Sequence, residues 1–406
     1  MRIVYCIPHL YNSGGMERVL TQKVNWLAAH TDYKITIITT ELTPVGQFNV
    51  YFELDERVRV EAFGIDFNAD YHKPLLSKYT GHARRMRVYK RALINYIRAN
   101  EIDLCISLGG KEVAFISSLP CRTMVEFHFA KDHRQQLLDA NHTGWFWHLL
   151  GRIRTWQLVR DVRSVGQIVV LTEKDRQDWQ QAGCANVKCI PNPCAIKYRV
   201  VSSEYRVQSI KTLLAVGRLH EQKGFDMLLE AWNNVQRDNV QCTKEWVLRI
   251  VGEGKQRKKL EEQIRDLHLS NVVLAGRVEN MVEEYAAASL FVLSSRYEGL
   301  PLALIEAMWC GVPCVSFDCP HGPAELLGDD RGWLVPAMDV AGLAKQIAYA
   351  MSHSEEALER AQRAQEYAYE KYSEANIMPQ WVQLIENTST IQHTTYNISH
   401  DSCRIR

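Results

Sequence analysis

Residues 290–309 read LFVLSSRYEGLPLALIEAMW. Leu290 to Ser294 is a short, unbroken apolar run, which suits a strand covered on both faces of a parallel sheet. The loop that follows closes on Gly299, where the backbone turns tightly, and on Pro301, which has no amide to leave unpaired in a first helical turn. From about Leu300 the apolar spacing becomes helical. Strand, tight loop and helix form the repeating unit of a doubly wound α/β domain. The unit aims the free N–H groups of a helix N-terminus at whatever binds beyond the strand, a setting suited to phosphate.

The unit recurs on either side. Lys211–Arg218, Glu245–Gly252, Asn271–Arg277, Pro313–Phe317 and Gly332–Pro336 are further strand-like runs. A long helical stretch from Val340 to about Tyr372 follows, then another helix near Ala375–Glu386. The first half repeats the alternation with Arg2–Pro8, Lys34–Thr40, Arg57–Phe63, Ile102–Leu108, Arg122–His128, Gln167–Leu171 and Val187–Pro191. Between them lie amphipathic stretches such as Gly15–Ala29, with Val19, Leu20, Val24 and Leu27 on one face. After the turn Pro191-Asn192-Pro193, residues 196–210 (IKYRVVSSEYRVQSI) lose the period and read as a linker.

The expected organisation is an N-terminal domain over 1–195, a linker over 196–210 and a C-terminal domain over 211–372. A helix over 373–386 packs back on the N-terminal domain, and 387–406 is a polar, frayed tail. The fold class is α/β: two doubly wound parallel-sheet, Rossmann-like domains facing a cleft, where ligands bind beyond the carboxyl ends of the strands.

Composition narrows the function. A length of 406 residues suits two to three domains, and 46% hydrophobic with 23% charged residues is ordinary for a folded soluble protein. Forty-eight Lys+Arg against 47 Asp+Glu leave a net of +1, which excludes a dedicated nucleic-acid binder. That balance hides a split, with +6 over residues 1–195 and −5 over the remainder. No apolar run reaches the roughly 18 residues of a membrane span. The opening MRIVYCIPHL reads as a strand and not as a basic-then-apolar secretion signal, so a cytoplasmic chain is expected. The eleven cysteines are odd in number, scattered and without a C-x-x-C, which argues against a zinc site.

Two constellations carry chemistry. Glu298 stands just before the 299–301 turn, and Glu306 about two turns along the helix. Both carboxylates are placed to look into one cleft at different depths, and carboxylates accept pairs of hydroxyl hydrogens from sugar and ribose rings. The same spacing fits a helix that carries an N-terminal Glu because of its dipole, with the second Glu incidental. Directly after the first strand of the second half comes GRLHEQKGFD, residues 217–226, with Arg218 and Lys223 on one loop. Each charge pair with a diphosphate is worth about 4 kcal/mol at ~4 Å and an effective dielectric of ~20, before desolvation. An Arg and a Lys on a loop are also what a solvated surface carries.

Together, Arg218, Lys223, Glu298 and Glu306, with Val251-Gly252-Glu253-Gly254 between them, resemble the second domain of the retaining glycosyltransferases of family 4. That family has the two-domain GT-B fold and a hallmark of two glutamates separated by seven residues. Gly14-Gly15-Met16-Glu17-Arg18-Val19 resembles the family's glycine loop after strand one. Leu171-Thr172-Glu173-Lys174-Asp175 and Ile190-Pro191-Asn192-Pro193 also match. The resemblance covers nearly the whole chain and is greatest to bacterial enzymes that build capsule, exopolysaccharide or lipopolysaccharide chains.

The resemblance implies a retaining hexosyl or N-acetylhexosaminyl transfer from a nucleotide sugar, UDP-linked, to a lipid-linked saccharide acceptor. It implies that Arg218 and Lys223 bind the donor diphosphate and stabilise the leaving nucleotide. Glu306 would hold the ribose hydroxyls, and Glu298 the transferred sugar. The amides of Gly299, Leu300 and Leu302 around Pro301 would bind sugar hydroxyls and phosphate. Gly15 would approach the diphosphate from the other domain, with Gly252 lining the site and backbone near Arg277 and Val278 holding the base. His128 would contact the donor sugar near the scissile bond, with His133 as competitor. No metal and no further cofactor are expected. The Gly322-Pro323-Ala324-Glu325 turn is similar to that of a subgroup using UDP-hexoses or UDP-N-acetylhexosamines.

Residues 82–98 carry Arg84, Arg85, Arg87, Lys90, Arg91 and Arg98. Residues 145–163 mix Trp145, Phe146, Trp147 and Trp156 with Arg152, Arg154, Arg160 and Arg163. Such stretches either pack their aromatics inward and solvate their arginines, or lie on an anionic membrane surface. Two rival functions fit the same outline: a UDP-sugar epimerase of this fold, and a non-catalytic sugar-nucleotide-binding subunit of a polysaccharide assembly complex.

Overall fold

The computed structural model describes residues 1–42, 49–67, 69, 72, 74–133, 135, 136, 138, 144–198, 211–238 and 243–400. It divides into two compact units, Met1–Pro191 with Ile377–Arg406, and Asn192–Asn376.

In the first unit β1 (Arg2–Ile7), α1 (Gly15–His30), β2 (Lys34–Thr39), β3 (Arg59–Ala62), α2 (Leu75–Ala99), β4 (Leu104–Ser107) and β5 (Arg122–Glu126) follow one another. Then come α3 (Trp145–Val162), β6 (Gln167–Val170), α4 (Glu173–Gln181) and β7 (Val187–Cys189). The sheet order is β3-β2-β1-β4-β5-β6-β7, and every pairing is parallel. β1 is buried from Ile3 to Ile7 because layers cover both its faces.

In the second unit β8 (Lys211–Val216), α5 (Phe225–Asp238), β9 (Trp246–Val251), α6 (Arg257–Asp266), β10 (Val272–Gly276), α7 (Met281–Ala287) and β11 (Leu290–Leu293) alternate. They are followed by α8 (Leu302–Trp309), β12 (Cys314–Asp318), α9 (Pro323–Leu327), β13 (Trp333–Pro336), α10 (Val340–Ser352) and α11 (Ser354–Tyr372). The sheet order is β10-β9-β8-β11-β12-β13, again all parallel. Its core centres on Leu213, Ala215, Leu228, Trp232, Ile250, Val292 and Phe317.

Three boundaries differ from the sequence reading. Asn192 to Ile196 go with the second unit, where the Cys194 amide donates to the Tyr372 carbonyl at 2.8 Å. The remainder of the expected linker, 199–210, lies outside the described residues. The 340–372 stretch is two helices, because the chain leaves helical geometry at His353 (φ −116°, ψ 63°). The last helix, α12 (Glu374–His400), runs through most of the tail expected to fray, since no Gly or Pro interrupts 387–400.

Ile377, Met378, Trp381, Leu384 and Ile385 of α12 are buried in the first unit's core beside Ile3, Tyr5, Leu20 and Val24. Each such burial is worth about 1.5–3 kcal/mol, so this helix is part of that core. Among the described residues, no helix is long and apolar enough to cross a membrane.

Candidate active site

In the second sheet the strand order reverses between β8 and β11, so the loops leaving their carboxyl ends part there and open a crevice. After β8, Gly217 turns the chain into Arg218, and Leu219 is buried as an anchor. One 3₁₀ turn, Glu221–Lys223, then stops at Gly224, whose φ of +63° lies in the left-handed region. This loop is stitched to the one after β11. The Arg296 amide donates to the Gln222 carbonyl at 2.8 Å, Gln222 Nε2 to the Tyr297 carbonyl at 3.0 Å, and Ser294 Oγ to the Lys223 carbonyl at 2.9 Å. Arg296 adds a bidentate pair with Asp226 at 2.9 and 2.7 Å. Burial pushes the Asp226 carboxyl up, but Arg296 outweighs it and holds the group below the usual range.

The stitching brings Lys223 and Glu298 together, although 75 positions separate them. Lys223 Nζ donates to Glu298 Oε1 at 2.6 Å, and Ser295 Oγ donates to the same oxygen at 2.6 Å. Glu298 is 8% exposed, so its charge is balanced locally by the ammonium. Arg218 is exposed and forms no ion pair among the described residues. On these two loops the Lys223–Glu298 pair is neutralised and the Arg218 guanidinium stands beside it as a positive group for an anion.

Glu306, on α8, is 5% exposed and accepts from Tyr285 Oη at 2.8 Å, which fixes one carboxylate oxygen. α8 begins at Leu302 with Pro301 as its N-cap, one to two residues later than the sequence spacing suggested. The turn at Gly322 lies flush on this entry, since a Cβ there would stand 2.5 Å from Pro301 Cδ and 3.0 Å from the Gly299 carbonyl oxygen. Gly252 passes equally close to the β8 loop, and a Cβ on it would stand 2.0 Å from the Gly217 carbonyl oxygen. Its amide donates to the Gly276 carbonyl at 2.8 Å, which places Arg277 and Val278 at the neighbouring strand end. The structure thus gathers Arg218, Lys223, Gly252, Arg277, Val278, Glu298–Leu302 and Glu306 at one end of one sheet.

In the first unit Gly15 opens α1 after β1, with Gly14 as N-cap. His128 lies two residues past β5, and its loop is held from below. The Phe127 amide donates to the Val169 carbonyl, and the Lys131 amide donates to Asp175 Oδ1, both at 2.9 Å. Thr172 caps α4 by accepting from the Asp175 amide at 3.2 Å, which explains the Leu171–Asp175 motif as a brace for the His128 loop. His133 stacks on Phe129 instead, with ring centroids 4.4 Å apart.

Sequence reasoning missed Tyr285 and Arg296, each of which acts on a residue far along the chain, and Ser295, which reaches Glu298 only three residues on but through a loop with no periodic signal. It also missed Lys23 and Glu126, a buried ion pair beside His128. The signal was present: Lys23 falls on the apolar face of α1 next to Val24, and Glu126 follows the apolar pair Met124-Val125 at the end of a buried strand.

Comparison with known proteins places this geometry. Residues 210–353 match the family described as Glycosyl transferases group 1. The amylovoran biosynthesis glycosyltransferase AmsD of Erwinia amylovora is 30% identical over 349 residues, covering 82% of this chain and 85% of that protein. An alpha-1,4-N-acetyl-D-galactosaminyltransferase of Campylobacter jejuni, whose name carries a PP-undecaprenol-linked saccharide, is 25% identical over 389 residues, or 95% of this chain and 98% of that one. A variant of S. aureus TarM, solved in complex with fondaparinux, alpha-GlcNAc-glycerol and UDP, superposes with a TM-score of 0.73 at 16% identity, covering 94% of this chain and 99% of that one. The chain belongs to the group 1 glycosyltransferases, and its fold is GT-B.

Proposed function

We propose that the chain transfers a hexosyl or N-acetylhexosaminyl group from a UDP-sugar to a growing, lipid-linked bacterial surface saccharide, with retention of configuration and without a metal. The carrying observation is the Lys223–Glu298 pair beside the unpaired Arg218 at the strand-order reversal. In this reading Arg218 and Lys223 neutralise the diphosphate as negative charge grows on the leaving nucleotide. Glu298 orients the sugar, the Tyr285-fixed Glu306 receives the ribose hydroxyls, and His128 contacts the sugar from the first unit. The names of the Erwinia and Campylobacter relatives support a polysaccharide product and a lipid-linked acceptor. UDP in the TarM complex supports the nucleotide.

Thermal shift tests the donor. UDP and one UDP-sugar, each at ~100 times its dissociation constant, should add about 2.7 kcal/mol of apparent stability to the native chain. Arg218→Ala should lose most of that gain. If no nucleotide shifts the native protein, the reading fails.

The acceptor side is proposed to dock on an anionic bilayer. The sequence left open whether α3 turns its aromatics inward, and for three of them it does not: Trp145 is 78% exposed, Phe146 56% and Trp156 62%. Leu149 and Ile153 extend the same exposed stripe, while Gly151, Thr155, Leu158, Val159 and Val162 face the core. Arg152, Arg154 and Arg160 flank the stripe, and α2 adds exposed Arg84, Arg87 and Arg91. Aromatics with cations are the composition that binds an anionic interface. In flotation assays the chain should rise with phosphatidylglycerol vesicles and not with neutral ones, and Trp145→Ser with Trp156→Ser should leave it at the bottom. Equal flotation with both lipids would remove the membrane reading.

A further inference from the structure

Lys23 and Glu126 form an ion pair that the folding of the first unit does not explain. Lys23 is 1% exposed and Glu126 0%, and Lys23 Nζ donates to Glu126 Oε1. Burying two charges costs several kcal/mol per ion, and apolar residues of similar volume often serve stability as well or better. Two further contacts show what the pair touches. His128 Nε2 stands 3.2 Å from the same Glu126 oxygen, within ion-pair distance, and is buried with no hydrogen-bond partner among the described residues. On the far side, Lys23 Nζ sits 3.5 Å over the centre of the Trp381 ring, a cation–π contact with α12. Burial pushes the Glu126 carboxyl up, yet Lys23 and His128 outweigh it and hold the group at about 2, so it stays an anion. Burial lowers Lys23, and Glu126 opposes that.

In a neutral imidazole the nitrogen that faces a carboxylate holds the ring's one proton, which leaves the other nitrogen as an acceptor. We propose that Glu126 is a positioning residue that holds His128 as the Nε2–H tautomer with Nδ1 free to accept from a sugar hydroxyl, and that Lys23, clamped between Glu126 and Trp381, makes this depend on the seating of α12. The inference rests on the reading of His128 as a donor-contacting residue. It makes α12, whose chain arrives from the second unit at Asn376, a structural determinant of the site in the first.

The test replaces the pair with neutral groups so that no buried charge is orphaned. Lys23→Met with Glu126→Leu removes the acceptor, while Lys23→Met with Glu126→Gln keeps an oxygen that receives the Nε2 proton. Both should fold and keep the UDP-induced thermal shift. The Leu variant should lose kcat on the order of tenfold to a hundredfold, as misplacement of a site group does. Its KM for donor should stay within about twofold, and the Gln variant should recover part of kcat. In ¹⁵N-histidine-labelled protein the wild-type His128 should read as Nε2–H, and the Leu variant and Trp381→Leu should each show mixed tautomers.

Wild-type kcat in a stable Leu variant, or a wild-type Nδ1–H signal, overturns the proposal. An unchanged spectrum in Trp381→Leu overturns the link to α12. If the wild type transfers sugar from no nucleotide donor, the proposed function fails, and the ¹⁵N spectra still decide the positioning.

Discussion

Lys223→Ala is expected to lower kcat/KM for sugar transfer roughly a thousandfold, the upper end of what one preorganised electrostatic group contributes. The ammonium has two tasks in the geometry described. It balances Glu298 at 2.6 Å, so that a diphosphate can enter a crevice holding a carboxylate only 8% exposed. It also supplies positive charge where the leaving nucleotide becomes more negative. Removing it leaves the Ser295 hydroxyl as the hydrogen-bond donor to Glu298 Oε1, and the uncompensated carboxylate then repels the sugar donor. Lys223→Ala with Glu298→Gln removes that repulsion. The double variant should regain nucleotide binding by thermal shift without regaining turnover. Arginine is not an equivalent replacement, because its planar fork does not reproduce the compact point charge that Lys223 Nζ places on Glu298 Oε1. Steady-state kinetics decide the matter, and activity within threefold of wild type in Lys223→Ala would make the pair structural.

Gly224→Ala is expected to destabilise the second unit by about 3 kcal/mol or more, through two effects that add. Its φ of +63° is left-handed, which costs a residue with a Cβ about 1–2 kcal/mol. That Cβ would also stand 2.1 Å from the Ser294 carbonyl oxygen and 2.7 Å from Met227 Cε. Met227 has the freedom to move away, but the carbonyl belongs to the loop leaving β11. Relief therefore comes only by parting the two loops that bring Lys223 to Glu298. Calorimetry or chemical denaturation should show a less stable second unit, and whatever folds should lose its nucleotide-induced shift. A melting temperature within 1 °C of wild type would show that the loops are not locked together at this point.

Both variants act at a place only partly legible beforehand. The loop residues Arg218, Lys223 and Glu298 and the helical Glu306 were readable because chemistry after a buried strand is a local pattern, and a family resemblance joined the pieces. Their partners were not readable. Tyr285 reaches Glu306, Ser295 and Lys223 converge on one oxygen, and Lys23 reaches Glu126 across 103 positions. Side-chain pairing of this kind depends on where helices and strands come to rest, which periodicity does not encode. The same holds for α3: its composition allowed aromatics inward or outward, and packing of Gly151, Leu158 and Val162 against the core left Trp145 and Trp156 outside.

By itself the sequence determined that the chain alternates buried strands with helices in two halves, and it pointed to the loops after the strands for the candidate site. Apolar runs and glycine turns act over a few residues, so a linear pattern suffices. The tertiary structure decided the strand order with its reversals at β1/β4 and β8/β11, and the return of α12 into the first unit's core. It also decided the ion pair buried behind His128. Those outcomes come from contacts between segments far apart in the chain, where the gain from burying a whole face outweighs any local preference.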